Sequence, residues 1–371
     1  MSVAKMENRA EKLNSFSGLK LIALMMIFWW HSDFQKPILD LGARAYEFFF
    51  VCSGFLVAYN YQEKRMPPTW KCSVSYLCSK IAKMWPLHVI TLLCGFALEV
   101  HFNGFSGTII WRAIINFFCL QSWSSNLDTA MAFNGVSWFL SSLFFCYLMA
   151  PFFAKIAKKT RNIPICLLVV GLVRLWIEYL YLYYPNELFN IQIHVNPIVR
   201  CLEFMMGILI GFLLNESGGT QRKNKNFLAD SVWEIATIVV LLVLFFVFGN
   251  KIYRGTYALL FVGMIFVFGN CNGILSKFLS NKIIMWLAQY QFEIYLIHLV
   301  VLRYLRIIFA KAQIGIHGGI FSCISFVVTV IISIIYKKYF EKRASYMVKK
   351  GINYVGNKYF DTCIFSTLSS K

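Results

Sequence analysis

The sequence predicts an all-α fold: a polytopic transmembrane helical bundle of about ten spans with both termini in the cytoplasm. Three observations carry this prediction. Of the 371 residues, 58% are hydrophobic and only 14% are charged, whereas about 25% are charged in a typical soluble domain. Apolar segments long enough to cross about 30 Å of hydrocarbon recur along the chain. Lys and Arg outnumber Asp and Glu by 36 to 17, and they collect in alternate connections, as cytoplasmic loops do.

Ten apolar segments are predicted to span the membrane. In chain order they are 17–34, 45–61, 81–101, 136–154, 163–182, 198–215, 232–249, 254–269, 283–309 and 319–337. The first is interpreted as a retained span, because no small-residue cleavage site follows it closely. Segment 108–121 is apolar but contains Arg112 and Asn116, so we interpret it as an interfacial or re-entrant piece. The polar connection 216–230 is expected to be a flexible cytoplasmic linker.

The distribution of basic residues predicts the orientation of the spans. An even number of spans places both termini on one side, and 25 Lys and Arg residues fall on that side against six on the other. Because such residues stay in the cytoplasm, the N-tail (1–16) and the basic tail (341–371) are predicted to flank a membrane domain (17–340) on the inner side of the cell membrane. This topology accounts for the net charge of +19, so no nucleic-acid partner is expected.

The cysteines and the known catalytic motifs exclude several chemistries. The 11 cysteines include no CxxC pair and most lie in apolar runs, so neither a disulfide framework nor a zinc site is predicted. The chain contains no HExxH, Walker loop or GxSxG elbow. Metal-dependent, nucleotide-hydrolysing and serine-hydrolase functions therefore have no support, and no metal ligand is predicted.

Ionisable residues within the predicted spans are candidates for function, because a charge inside a membrane is costly. Lys20 and His31 are eleven residues apart in the first span, close to three full turns, so they share a face about 16 Å apart along the axis. Spacing alone equally fits an interfacial Lys and an interfacial His. Glu47 begins the second span at the same end as His31, where a carboxylate could orient the imidazole.

Later spans carry further charged pairs. Lys80 and Lys83 share a face at the entry to the third span, where they could clamp phosphate or simply anchor the helix. Arg174 and Glu178, four residues apart, are interpreted as a structural ion pair. The similar pair Arg200 and Glu203 follows Asn196-Pro197 and could line a polar cavity. His298, deep in the ninth span, is either a helix–helix hydrogen-bond partner or part of a site.

The order of these features resembles the acyltransferase-3 family of membrane acyltransferases over roughly residues 13–345. Lys20 followed by ten residues and His31 resembles the family's basic-x10-His motif, in which Arg is usual. Residues 47–55, Glu-Phe-Phe-Phe-Val-Cys-Ser-Gly-Phe, are similar to its acidic-x-Phe-Phe-x-x-Ser-Gly-Phe motif. Further similar motifs are Lys80-x-x-Lys83 before Pro86, Ser137-Trp138-Phe139-Leu140, Arg200-x-x-Glu203-Phe204-x-x-Gly207 and Tyr295-Leu296-Ile297-His298.

This chain differs from the family pattern at two kinds of position. Lys replaces Arg at 20, 80 and 83, which keeps the charge but removes the bidentate fork of a guanidinium. Leu143 stands where many members carry a Glu after the Trp motif. Phosphate binding is therefore expected to be less directional than in relatives, and the function of that Glu is absent or supplied elsewhere.

The resemblance implies a reaction and a set of residues. The donor would be cytoplasmic acyl-CoA, with acetyl-CoA as the expected form and succinyl as the alternative, and no cofactor would be bound permanently. The acceptor would be a hydroxyl of an extracytoplasmic cell-surface polysaccharide. The expected catalytic residues are His31 as general base or acyl carrier, Glu47 as its orienting group and Ser53 at the oxyanion. Expected donor-binding residues are Lys20, Lys80 and Lys83, and expected acceptor-binding residues are Trp138, Arg200, Glu203, Tyr295 and His298.

Two other classes of function remain open. A bundle of about ten spans with buried charges also suits a transporter that exports glycan or a small acid, although no inverted repeat is visible in the sequence. The chain could alternatively be a non-catalytic membrane subunit of a polysaccharide synthesis complex. The oligomeric state is not predictable from the sequence.

Overall fold

The structure, a computed structural model, describes residues 3–32, 37–61, 67–184, 192–216, 226–248 and 254–360. All regular secondary structure in those ranges is helical. Eight of the described helices are long and apolar enough to cross a membrane, and the apolar helix Gly255–Asn270 is shorter. The all-α, multi-pass architecture predicted from composition is therefore confirmed. Ten spans and cytoplasmic termini stay predictions.

Fifteen α-helices are described, numbered here in chain order. They are α1 (Val3–His31), α2 (Ala45–Tyr61), α3 (Trp70–Asn103), α4 (Gly107–Phe117), α5 (Leu127–Ala130), α6 (Trp138–Lys159), α7 (Ile163–Tyr183), α8 (Pro197–Glu216), α9 (Phe227–Phe248), α10 (Arg254–Asn270), α11 (Ile274–Leu279), α12 (Lys282–Ala288), α13 (Gln291–Lys311), α14 (Gly318–Ile335) and α15 (Glu341–Phe360). Short 3-10 helices cover Pro37–Arg44, Gln121–Trp123 and Gly135–Ser137, and a π-helix, Tyr336–Phe340, joins α14 to α15.

The chain divides into two compact units. The first comprises Met1–Lys64, Ile156–Phe189 and Leu202–Gln291, and the second comprises Arg65–Lys155, Asn190–Cys201 and Phe292–Lys371. In the first unit α10 packs against α1, α2, α7 and α9. In the second unit α3 packs against α4 and α15.

Two glycines set the closest helix crossing in the first unit. A Cβ atom at Gly54 of α2 would overlap with the carbonyl oxygen of Phe204 in α8, and a Cβ atom at Gly207 would overlap with the carbonyl oxygen of Val51. Small residues permit such backbone approach between membrane helices. This reciprocal contact explains why Gly54 and Gly207, both in the family-like motifs, cannot carry a side chain.

Several predicted segments differ from the observed helices. The first span was predicted to begin at residue 17, but α1 begins at Val3, within the predicted N-tail. The segment 283–309 is not one helix, because the side-chain amide of Gln289 donates to the carbonyl oxygen of Trp286 at 2.8 Å and the Tyr290 N–H bonds to Leu287 instead. The α-helical ladder therefore ends at Ala288 and restarts at Gln291.

Other predicted segments are described only in part. Segment 108–121 folds as α4 followed by the start of the 3-10 helix Gln121–Trp123. In the basic tail, residues 341–360 form α15 and residues 361–371 lie outside the described residues. Most of the predicted linker, 217–225, also lies outside them, as do residues 33, 34 and 249 at span ends.

Candidate active site

One stripe of α1 faces the interior of the first unit. Leu24 and Phe28, which lie between Lys20 and His31 at helical spacing, are 1% and 0% exposed. Lys20 is partly buried and lies near Cys52 of α2. His31, the last residue of α1, is also partly buried. The stripe predicted from the eleven-residue spacing therefore faces the protein, which disfavours a lysine that merely extends along lipid.

The chain after α1 returns beside the end of that helix. The 3-10 helix Pro37–Arg44 packs on α1 so closely that a Cβ atom at Gly42 would overlap with the carbonyl oxygen of Met26. The return brings the first turn of α2, with Glu47, back to the last turns of α1. The His31 ring lies 4.6 Å from the ring of Trp30. That Glu47 orients the His31 imidazole stays a prediction.

Glu47 belongs to a buried charged cluster that the sequence did not reveal. Its side chain is fully buried, and that of Arg44 is 4% exposed. The Arg44 guanidinium lies 5.7 Å from the ring centroid of Tyr257 in α10. Both Arg44 and Glu47 lie near Tyr257, and Glu47 interacts electrostatically with Arg174 of α7. Arg44 is one of the six basic residues that the charge distribution assigned to the side opposite the termini.

Arg174 joins the remaining carboxylates of this cluster. Its Nη1 lies 2.9 Å from Oε2 of Glu178, and its Nε lies 3.1 Å from Oε1 of Glu203 in α8. Oε2 of Glu178 also accepts a hydrogen bond from the backbone N–H of Gly255 at 2.8 Å. The pair Arg174–Glu178 predicted from spacing is confirmed, and Glu203, predicted to act beside Arg200, is bonded to Arg174. We call Arg44, Glu47, Arg174, Glu178 and Glu203 the buried ion cluster.

Ser53 occupies a less enclosed position on α2. It is partly buried and lies six residues after Glu47, about 9 Å along the helix axis. It precedes Gly54, whose backbone packs against Phe204, so the hydroxyl sits at a rigid crossing. Its role at an oxyanion stays a prediction.

In the second unit the structure brings two of the predicted motifs together. The hydroxyl of Tyr295 donates to the carbonyl oxygen of Val136 at 2.8 Å, two residues before Trp138. The backbone of Trp138 is held by the Ser122 hydroxyl, which donates to its carbonyl oxygen at 2.7 Å. The Trp138 indole is 7% exposed and lies 6.3 Å from the ring of His194. Sequence reasoning missed His194 and Ser122.

His298 has a tautomer set by its neighbour. Its Nδ1 lies 2.6 Å from the carbonyl oxygen of Tyr295, and a carbonyl oxygen can only accept, so Nδ1 carries the hydrogen. In the neutral ring Nε2 is then the acceptor. The side chain is fully buried, which makes a structural role as plausible as contact with substrate.

Two buried amides hold the turn before Trp138. Nε2 of Gln121 donates to the carbonyl oxygen of Ser137 at 3.1 Å, and Nδ2 of Asn134 donates to the carbonyl oxygen of Leu296 at 2.9 Å. Both side chains are at most 1% exposed. Neither amide was predicted from the sequence. The feature that could have indicated Gln121 is the presence of a polar Gln at the end of the apolar segment 108–121.

Arg200 and Leu143 are both buried. Arg200, in the first turns of α8, is fully buried, and Asn196 fixes this helix start by accepting from the N–H of Ile198 at 2.9 Å. Leu143 of α6 is 2% exposed. A Glu at this position, as in many relatives, would therefore be a buried carboxylate.

The two lysines of the third-span motif, Lys80 and Lys83, lie in different environments. The Lys80 ammonium lies 5.0 Å from the ring centroids of both Tyr76 and Tyr147, a cation–π arrangement, and the side chain is partly buried. Lys83 is exposed. The spacing predicted that the two lysines share a face, and the structure places two aromatic rings beside Lys80.

Thiol and metal chemistry find no support in the described part of the chain. Its ten cysteines are free thiols. Burial raises the pKa of the Cys119 thiol, which keeps it protonated and a poor nucleophile. Among the described residues, no group of three or more His, Cys, Asp or Glu side chains could hold a metal ion.

Known proteins resemble this chain over most of its length. It is 24% identical over 331 residues to "Acyltransferase MdmB" of Streptomyces mycarofaciens, covering 81% of each chain. It is 23% identical over 333 residues to "O-acetyltransferase OatA" of Staphylococcus aureus, covering 82% of this chain and 53% of that protein. "Nose resistant to fluoxetine protein 6" of Caenorhabditis elegans is 26% identical over 234 residues, 52% of this chain and 28% of that protein.

The chain thus spans about half of OatA and less of the nematode protein. No solved structure matches it. Residues 13–338 match the acyltransferase-3 family, which is described as an acyltransferase domain. That match covers the stripe on α1, the buried ion cluster, the Trp138 turn and His298. This multi-pass membrane protein belongs to the acyltransferase-3 family.

Proposed function

We propose that this protein is a membrane O-acyltransferase that moves an acyl group from cytoplasmic acyl-CoA to a hydroxyl of a cell-surface polysaccharide outside the membrane. The family supports acyl transfer, and a relative named O-acetyltransferase supports acetyl as the group and oxygen as the acceptor atom. The observation that carries the proposal is the α1 stripe, which faces the protein interior with an ammonium near one end and an imidazole at the other.

His31 is the proposed reactive side chain. As general base, it takes the proton of the acceptor hydroxyl while the oxygen attacks the thioester carbonyl and CoA leaves as the thiol after protonation. As acyl carrier, its imidazole attacks the thioester carbonyl and CoA leaves as the thiol, taking the proton from the ring. The acceptor hydroxyl then attacks the acyl-imidazole, and its proton returns to the departing histidine. In either route Glu47 stabilises the positively charged ring, because a carboxylate favours the imidazolium. The Glu47 side chain is fully buried and interacts electrostatically with Arg174.

Lys20 and Lys80 are the proposed donor contacts. An ammonium binds phosphate as a point charge, and Lys80 is already ordered by two aromatic rings. The predicted topology puts both on the cytoplasmic side, where CoA is made available. Lys83 is exposed, so a larger contribution from Lys80 than from Lys83 is part of the proposal.

Replacement of His31 tests the proposal in cells. In His31→Ala, surface-polysaccharide O-acetyl groups measured by NMR should fall by about 100-fold or more, which is the usual contribution of a general base. His101→Ala is the matched control, since His101 is an exposed imidazole on α3 outside the proposed site. Both variants must reach wild-type abundance in the membrane. Undiminished acetylation in His31→Ala removes this residue from the mechanism.

The buried ion cluster favours one alternative function, a transporter, because charges inside membrane bundles often mark ion or substrate pathways. An assay with purified protein and radiolabelled acetyl-CoA distinguishes the acyltransferase from the transporter. Label recovered on extracted surface polysaccharide supports the transferase. Uptake or release of label by sealed proteoliposomes without covalent transfer supports the transporter.

A further inference from the structure

An open groove lies between α9 and α10 in the first unit. It encloses about 280 Å³, close to the lower limit of small-ligand sites. Residues at helical spacing form its walls: Trp233, Thr237 and Val240 on α9, and Leu260, Gly263 and Val267 on α10. A Cβ atom at Gly263 would meet no described atom within 4 Å. The absent side chain at this position therefore leaves space that no described residue fills.

The chemistry of the walls selects a thin, apolar occupant. All lining side chains except Thr237 are apolar or aromatic, and the Thr237 hydroxyl donates to the carbonyl oxygen of Trp233 at 2.8 Å. Its hydrogen is therefore unavailable to a ligand. A polar or charged ligand would lose its hydration here without replacement, whereas a hydrocarbon chain would bury apolar surface.

The bilayer supplies such chains at this position. Of the eight described spans, the one formed by α9 is the least buried, with 17% of its window enclosed by protein. Trp233 and Val240 are 56% and 49% exposed. The groove therefore opens toward lipid along a helix that crosses the membrane.

A positive charge stands beyond one end of the groove. The short segment between α10 and α11 is hydrogen-bonded to the start of α9. The N–H of Asn272 donates to Asp230 at 3.1 Å, and the N–H of Gly273 donates to Glu234 at 2.8 Å. Both carboxylates are thus bonded to backbone. The exposed Lys277 of α11 follows, with its ammonium 4.3 Å from the ring centroid of Phe227. A phosphate near this end would lie close to the Lys277 ammonium, an opposite charge.

We propose that the α9–α10 groove binds one acyl chain of an anionic phospholipid, whose phosphate lies beside Lys277. The lipid is a structural ligand and is independent of the acyl-transfer reaction. It fills space that Gly263 leaves open, and Lys277 selects an anionic headgroup over a zwitterionic one.

Native mass spectrometry of the full chain tests this proposal, with phosphatidylglycerol and phosphatidylcholine as probes in mild detergent. Wild type should retain phosphatidylglycerol in preference. Gly263→Leu should reduce lipid retention by about tenfold or more, because the new side chain occupies the groove. The lipid acyl chain then buries less apolar surface, and the binding free energy lost exceeds about 1.4 kcal/mol. Ala236→Leu should do the same from the opposite wall. Lys277→Gln should keep lipid but lose the preference for phosphatidylglycerol.

Gly351→Leu on α15 is the control, since a Cβ atom there also meets open space and lies outside the groove. Circular dichroism verifies the helical fold of each variant. Equal retention by wild type and both groove-filling variants would overturn the proposal. Protein-to-protein crosslinking through Gly263→Cys, with no retained lipid, would assign the groove to a second copy of the chain instead.

Discussion

Replacing Arg174 should destabilise the protein strongly, because this one guanidinium neutralises carboxylates from two helices. It is 1% exposed, and its partners Glu203 and Glu178 are 0% and 6% exposed. Arg174→Leu removes contacts of 3.1 Å and 2.9 Å and leaves both carboxylates buried without their cation. Breaking a buried pair in this way costs about 3–5 kcal/mol, and two charged hydrogen bonds at about 1.5–3 kcal/mol each give a comparable loss of about 3–6 kcal/mol.

Thermal and denaturant unfolding of the detergent-purified protein, followed by tryptophan fluorescence, would measure this loss. Arg161→Gln, an exposed arginine just before α7, is the control and should change stability by less than about 0.5 kcal/mol. The double variant Arg174→Leu with Glu203→Leu should recover part of the loss, since no lone carboxylate remains at that contact. An effect of Arg174→Leu as small as that of Arg161→Gln would refute the claim that Arg174 is needed to neutralise the buried carboxylates of Glu178 and Glu203.

Three further outcomes follow from the structure. Gly207→Leu should lower the free energy of unfolding by about 3 kcal/mol, because its side chain would overlap with α2, and normal abundance with unchanged melting would contradict the crossing. Glu234→Gln should cost about 1.5–3 kcal/mol, because this carboxylate accepts from three backbone N–H groups and the Ser276 hydroxyl; unchanged hydrogen exchange across α11 would argue against it. Lys80→Gln should raise the apparent KM for acetyl-CoA more than Lys83→Gln does, and equal KM values would favour simple anchoring.

Hydropathy predicted where most spans lie in the sequence, but it did not predict which of their residues are buried or where a helix is interrupted. Eight of the ten predicted segments coincide with candidate spans, because length and apolar composition are local properties. Segment 254–269 was the shortest prediction, yet Tyr257, Ala258 and Ile265 of α10 are fully buried. Segment 283–309 is divided at Gln289, where a side-chain hydrogen bond replaces a backbone one. Neither burial nor that hydrogen bond is visible in average hydropathy.

The site was predictable where function depends on spacing within one helix. The Lys20–His31 stripe and the Arg174–Glu178 pair are of this kind. The Arg174–Glu203 contact joins residues 29 positions apart, and helical periodicity carries no information about partners on another helix. Asp230 and Glu234 were missed for the same reason, because their partners are backbone N–H groups of a later link.

His31 is proposed to handle the acyl group or its proton at the end of the inward-facing stripe of α1. The most direct measurement is single-turnover transfer from radiolabelled acetyl-CoA by purified protein in proteoliposomes, with extracted surface polysaccharide as acceptor. Wild type and His101→Ala should transfer label at the same rate, whereas His31→Ala should be slower by about 100-fold or more. Transfer by His31→Ala at the wild-type rate would show that His31 neither takes the proton nor carries the acyl group.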